Sequence, residues 1–187
     1  MENISFSMIL AVDEKNGIGK SGDLAWNLPS DLKHFKKITT QTHDLAKMNA
    51  VIMGKNTWKS LPVKFRPLPD RINCILSSDL EKDNIGSSID NFVLYFSSLE
   101  HCLSELEGKE NVENIFVIGG GQLYNYALKS DLLEKIYITK VKGDFDCDVH
   151  FDGVPKSFVL ESYTDYETEN GIEYSFQVYK NIKFLYQ

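Results

Sequence analysis

A repeated change of apolar period limits this chain more than any other feature. Short continuous apolar runs alternate with stretches of helical spacing, and glycine or serine stands at nearly every change. The runs are residues 4–12, 50–53, 71–76, 92–96 and 114–118. Continuous rather than alternating apolar character marks strands covered on both faces, as in parallel sheets. After the first run, Leu28, Leu32, Phe35 and Ile38 recur at steps of four, three and three, one face of a helix of about three turns with Pro29 in its first turn. A second, polar helix begins at residues 55–57 behind Gly54. Leu99, Cys102, Leu103 and Leu106 mark a third, opened by Ser97-Ser-Leu-Glu100 at capping-box spacing, and residues 122–128 form a fourth behind Gly119-Gly-Gly121. Such alternation calls for right-handed crossovers and a mainly parallel sheet.

The end of the chain behaves differently. Residues 135–142, 157–163 and 172–182 are strand-like, with no helix between the last two, whose connection contains Asn170-Gly171. They are expected to pair antiparallel at one edge. The expected class is therefore α/β: a single domain over residues 1–187, with a mainly parallel central sheet flanked by helices and an antiparallel C-terminal edge. A chain of 187 residues with 42% hydrophobic content can bury one core of that kind.

A net charge of −7 without a dense Lys/Arg run argues against a nucleic-acid partner, because phosphate neutralisation needs a basic face. Cys74, Cys102 and Cys147 are widely spaced, odd in number and form no Cys-x-x-Cys pair, which suits a reducing compartment and reads them as small buried apolar residues. No apolar stretch approaches membrane-spanning length and the N-terminus lacks the order of a signal peptide, so a cytoplasmic location without a membrane partner is expected. His34, His43, His101 and His150 lack ligand spacing, so no metal is expected. Neither a Gly-x-Ser-x-Gly elbow nor a Gly-x-x-x-x-Gly-Lys-Ser/Thr loop is present.

Ligands of open parallel sheets gather at the C-terminal strand ends, and four loops there carry unusual residues. Gly119-Gly120-Gly121 would let backbone amides approach a phosphate, or would simply turn strand into helix; the two readings weigh evenly. Met53-Gly54-Lys55-Asn56-Thr57 adds a cation and a hydroxyl, though Thr57 alone reads better as a helix cap, and Ser77-Ser78 reads better as a turn. Together these termini suit a dinucleotide with an extra ribose phosphate. Asp31 shares a helix face with Phe35, one turn on, and is either a first-turn acid complementing the helix dipole or a desolvated carboxylate awaiting a cationic or amidine-like partner. Spacing alone favours the first.

Five motifs in order resemble the dihydrofolate reductase family: Gly17-Ile-Gly-Lys-Ser-Gly-Asp-Leu-Ala-Trp26, Leu28-Pro-Ser-Asp-Leu-Lys-His-Phe35, Val51-Ile-Met-Gly-Lys-Asn-Thr-Trp58, Arg66-Pro-Leu-Pro-Asp-Arg71 and Val117-Ile-Gly-Gly-Gly-Gln-Leu-Tyr124. Ile136-Tyr-Ile-Thr139 and Asp146-Cys-Asp148 extend the similarity, which runs from about Ser5 to about Tyr179. The resemblance implies NADPH-dependent reduction of dihydrofolate to tetrahydrofolate, supplying one-carbon metabolism and thymidylate synthesis, by an enzyme that antifolate inhibitors also bind. A monomer is implied unless the chain is fused to, or excised from, a thymidylate synthase polypeptide.

For NADPH, the resemblance places Ala11 and Ile18, Gly19, Lys20 and Ser21 beside the nicotinamide and its ribose. Gly119, Gly120, Gly121, Gln122, Leu123 and Tyr124, with Gly54, Asn56 and Thr57, would hold the pyrophosphate, and Lys55, Ser77 and Ser78 would lie near the ribose phosphate. For folate, Asp31 would accept hydrogen bonds from the pterin with help from Thr139. Arg71 would grip the carboxylate of the glutamate tail, and Ile9, Leu32, Phe35, Leu61, Leu68 and Ile118 would line the apolar slot, with Leu28 nearby. Hydride would reach pterin C6 while N5 gains a proton through a water admitted near Leu24 and Trp26. The loop over residues 17–26 would act as a lid. The family also implies cis peptides at Gly119-Gly120 and Arg66-Pro67. Ala25, where the family commonly has Pro, is a departure within the lid, and Val149 and Asp152 are departures expected to lie away from the chemistry.

Overall fold

The computed structural model describes residues 4–79 and 92–186, so the expected domain over residues 1–187 takes in a few positions outside them. Strand β1 (Phe6–Val12) lies near the middle of the nine-stranded sheet that the described residues form. On one side of it come β6 (Val112–Gly119), β3 (Met48–Gly54), β4 (Arg71–Leu76) and β5 (Val93–Phe96), all joined in parallel. On the other, β7 (Leu133–Val141) is still parallel to β1, and β11 (Ile172–Asn181) begins the antiparallel edge, paired with both β10 (Glu167–Glu169) and β9 (Phe158–Tyr163). The turn between β10 and β11 has Asn170 and Gly171 at φ 53° and 74°, the two positive values a tight hairpin demands.

Side chains alternate strictly across the sheet, as the two-residue period of a strand requires. Met8, Leu10, Ala50, Ile52, Cys74 and Val117 face one way, against helices α3 (Leu99–Glu107) and α4 (Gly121–Ala127). Ile9, Val51, Met53, Ile75, Phe116 and Ile118 face the other, where Phe35 and Ile38 of helix α1 (Pro29–Thr40) and Trp58 of helix α2 (Lys55–Ser60) cover them. Burial on both faces is what the continuous apolar runs predict.

Two local expectations are corrected. The cap of α3 is Ser98, whose hydroxyl accepts from His101 N at 3.1 Å, so Ser97 does not form a capping box with Glu100. Starting the helix one residue later seats Leu99, Cys102, Leu103 and Leu106 together against the sheet. Residues 17–19, read as loop, form strand β2 (Gly17–Gly19), which pairs antiparallel with the short β8 (Val149–His150). A Cβ on Gly17 would stand 2.5 Å from Cys147 Cβ, so only glycine lets these two segments close on each other.

Candidate functional site

The first turn of α1 is tied down from the sheet edge. The Ser30 backbone N–H and hydroxyl donate to Glu169 at 2.9 and 2.5 Å, giving the helix start the side-chain acceptor that its cap residue, Leu28, does not supply. One residue on, Asp31 is partly buried, and its Oδ1 accepts from the Thr139 hydroxyl at 2.6 Å. Thr139 is buried on β7, opposite Ala11 of β1. Burial pushes the Asp31 carboxyl above its ordinary pKa, and the Thr139 hydroxyl pulls it part of the way back. Asp31 is thus a carboxylate with one side-chain donor in a largely dry place, not a solvated helix-start acid.

Five of the six apolar residues expected around the pterin, Ile9, Phe35, Leu61, Leu68 and Ile118, fall in one cluster on the α1 face of the sheet. Leu28 packs in an adjoining cluster with Trp26, Val141 and Tyr174. Leu32 stands outside both, 54% exposed. Arg71, at the start of β4, is buried; its Nε donates to the Pro69 carbonyl at 2.8 Å and its Nη1 to Thr39 Oγ1 at 2.9 Å. Those two bonds fix the guanidinium, 5.9 Å from the Phe35 ring centre, and among the described residues leave the rest of its donor fork uncommitted.

Across β1 from Thr139, strand β6 ends at Gly119, where the cis Gly119-Gly120 bond leads into α4; Arg66-Pro67 is also cis. Beside this turn, a Cβ on Gly120 would lie 3.3 Å from Thr57 Oγ1, and one on Gly121 would collide with Val149 Cγ1 and meet Ile18 Cδ1 at 3.3 Å. The turn therefore stands against both the start of α2 and the β2–β8 pair, and Val149 is closer to it than the sequence suggested. Tyr124 is buried, its hydroxyl donating to the Ile9 carbonyl at 2.7 Å, so it braces β1 against α4. A cleft of about 380 Å³ brings Ser77, Ser78, Gln122 and Leu123 together with Leu76, Ser97, Ser98, Leu99, Glu100 and Tyr126. From sequence Glu100 reads only as part of a capping box, and Tyr126 carries no signal. They are joined by a 2.5 Å bond from the Tyr126 hydroxyl, and Glu100 puts a carboxylate where a phosphate neighbour was expected. Lys55 begins α2 outside the residues lining this cleft.

The expected lid is fastened at several points to residues 144–150. The Ser21 N–H donates to Asp148 Oδ2 at 2.8 Å, Lys20 Nζ lies 2.9 Å from Asp146 Oδ2, and Trp26 stacks edge-on with Phe145 at 5.3 Å. Leu24 is half exposed, and Trp26 Nε1 is buried with no hydrogen-bond partner among the described residues. The helices of the described residues include none long and apolar enough to cross a membrane.

A family model described as dihydrofolate reductase matches residues 5–181. The chain is 39% identical over 181 residues to the dihydrofolate reductase of Drosophila melanogaster, covering 94% of this chain and 97% of that one. Against the dihydrofolate reductase of Aedes albopictus it is 35% identical over 185 residues, covering 95% and 97%. The bifunctional dihydrofolate reductase-thymidylate synthase 1 of Arabidopsis thaliana is 35% identical over 187 residues, which make up 96% of this chain and 35% of that protein.

Proposed function

The chain belongs to the dihydrofolate reductase family and reduces dihydrofolate to tetrahydrofolate; we propose that NADPH is the donor, that Asp31 and Thr139 hold the pterin, and that the Gly119 turn holds the cofactor. The observation that carries this reading is the placement of Asp31 and the Gly119 turn on either side of the C-terminal end of β1. One end of that span offers a partly buried carboxylate and the other a side-chain-free backbone, with the apolar cluster of Ile9, Phe35 and Ile118 beneath.

The fit to the cofactor rests on the shape of the turn. Where a Cβ on Gly120 would press on Thr57 and one on Gly121 would strike Val149, only bare backbone fits, and its main-chain groups beside the Thr57 hydroxyl are what a pyrophosphate would meet. Gly54, Lys55, Asn56, Gln122 and Leu123 would complete that side, Ser77 and Ser78 would face the ribose phosphate, and Ala11 with Ile18, Gly19, Lys20 and Ser21 would flank the nicotinamide. When bound, NADPH supplies the hydride.

The chain's own residues do the rest. Asp31 accepts hydrogen bonds from the amidine-like edge of the pterin, and Thr139 holds the carboxylate in that attitude. Because burial raises its pKa, Asp31 keeps a larger protonated fraction near neutral pH than an exposed aspartate does, which suits a step that ends with a proton on the pterin. In this reading a water admitted beside Leu24 and Trp26 carries that proton. Arg71 turns its free donors to the carboxylate of the glutamate tail, while Leu32, Leu61 and Leu68 wall the slot. We further propose that this unit acts as a monomer in the cytoplasm, a reading favoured by its acidic charge and three widely spaced cysteines. The test is direct: purified protein should consume NADPH only when dihydrofolate is present. Absence of folate-dependent NADPH oxidation across buffer conditions would sink the reading.

A further inference from the structure

Asp13, at the end of β1, is 2% exposed, yet the reaction outlined above gives it no part. Its Oδ1 accepts from Lys15 N at 2.9 Å and Gly17 N at 2.8 Å. Alone, those bonds would be a local turn of the kind aspartate often makes. Its other oxygen, however, accepts from Phe145 N at 3.1 Å, a residue 132 positions away, and lies 3.7 Å from Cys147 Sγ. Phe145 in turn packs edge-on against Trp26 at the far end of the lid.

We propose that Asp13 is a positioning residue for the lid: one buried carboxylate fixes the lid's root at Gly17 and, through Phe145, its far end at Trp26. The outer fastenings differ in kind. Lys20 and Asp146 are 48% and 91% exposed, and such pairs in water hold little and exchange readily. The Asp13 bonds end on a buried carboxylate and are charge-assisted, the one from Gly17 N being itself buried, so losing them leaves backbone amides without their acceptor. Opening the lid therefore breaks the outer contacts and pivots on Asp13. Burial raises the Asp13 pKa, but the amides of Phe145, Gly17 and Lys15 outweigh it and hold the group below its ordinary value, so it stays a charged acceptor at neutral pH.

The proposal rests on the reading of residues 17–26 as a lid over the cofactor, and its test separates the two. Asp13→Asn keeps the shape but replaces one acceptor oxygen with a donor, so whichever way the amide turns, one side of the clasp is lost. Gly17→Ala reaches the same joint while leaving the carboxyl group in place, since its Cβ would stand 2.5 Å from Cys147 Cβ and 3.0 Å from Asp13 Oδ1, and it serves if the first variant does not fold. Amide hydrogen exchange is measured on the substrate-free protein, and hydride transfer from NADPH is measured in single turnovers. The expected result is exchange faster by about tenfold in residues 17–21 and 145–149 together. Hydride transfer should slow by about tenfold, with the KM for dihydrofolate within about twofold of the parent. Loosening confined to residues 14–17, or an unchanged hydride-transfer rate, overturns the proposal and leaves Asp13 a turn residue. Should the parent protein show no folate-dependent oxidation of NADPH, the functional reading falls, while the exchange data still decide whether Asp13 joins the two segments.

Discussion

The Thr139 hydroxyl donates to Asp31 Oδ1 at 2.6 Å, across 108 residues of sequence, and that bond locks a helix-start carboxylate onto the sheet. Its effect is electrostatic as well as geometric. Donation to the charged form opposes the burial that would neutralise it, so the pair sets how acidic Asp31 is.

Asp31→Asn should lose activity and gain stability. Burial raises the folded-state pKa of Asp31, so the folded protein favours the neutral acid. The resulting stability is fully present below the ordinary value of 3.8 and is lost as pH rises through the raised folded value. At neutral pH the ionised group is a cost that the amide removes. Turnover should fall by about 100-fold or more, as when a proton-transfer group is deleted. Stability at pH 7 should rise by about 0.5–2 kcal/mol, the usual gain when a functional site is relaxed. Thermal melts at pH 7 and pH 3 test the sign, since the gain should vanish in acid.

Thr139→Val removes the opposing donor and should raise the Asp31 pKa further. The break in the pH profile of kcat/KM for dihydrofolate should therefore move to higher pH, with KM rising because the carboxylate is less firmly held. A profile that overlays the parent's would show that Thr139 serves packing alone.

Arg71→Lys isolates the glutamate tail. The guanidinium is fixed by Pro69 and Thr39, and an ammonium can neither span both partners nor offer a fork to a carboxylate. The KM for dihydrofolate should rise by about 10- to 100-fold, corresponding to about 1.4–2.8 kcal/mol. A dihydropterin lacking the glutamate should be turned over equally by both proteins. Equal losses on both substrates would place Arg71 in the fold rather than in recognition.

Local pattern made most of the fold legible. Strand β4 spans Arg71–Leu76, the bounds its apolar run suggests, and α1 runs twelve residues from Pro29, because one apolar face and one early proline settle it. Where the answer depended on a distant partner, the sequence was silent. Nothing near Ser30 indicates that Glu169 caps its helix, and nothing near Asp13 indicates that Phe145 shares its carboxylate. Likewise Asp31 reads from spacing as a dipole-complementing acid, and only the return of β7 beside β1, bringing Thr139, shows it to be partly buried. Ser97 and Ser98 are equivalent as caps until packing of Leu99 against the sheet selects the second.

Glu100 makes the phosphate side testable by charge. It lines the same cleft as Ser77 and Ser78 and is held there by the Tyr126 hydroxyl, whose own pKa that bond and that charge raise. A carboxylate so placed repels a ribose phosphate and leaves a plain ribose hydroxyl unaffected. Two unit charges a few ångströms apart near a protein surface interact by about 1–4 kcal/mol, with water and salt favouring the lower end. Glu100→Gln keeps an acceptor oxygen for Tyr126 while removing the charge. The KM for NADPH should therefore fall by about two- to fivefold at low ionic strength, and the gain should shrink as salt shortens the screening length to about 8 Å. The KM for NADH should not move. If both cofactors gain equally, or the gain ignores salt, Glu100 acts on the shape of the cleft and not on the phosphate.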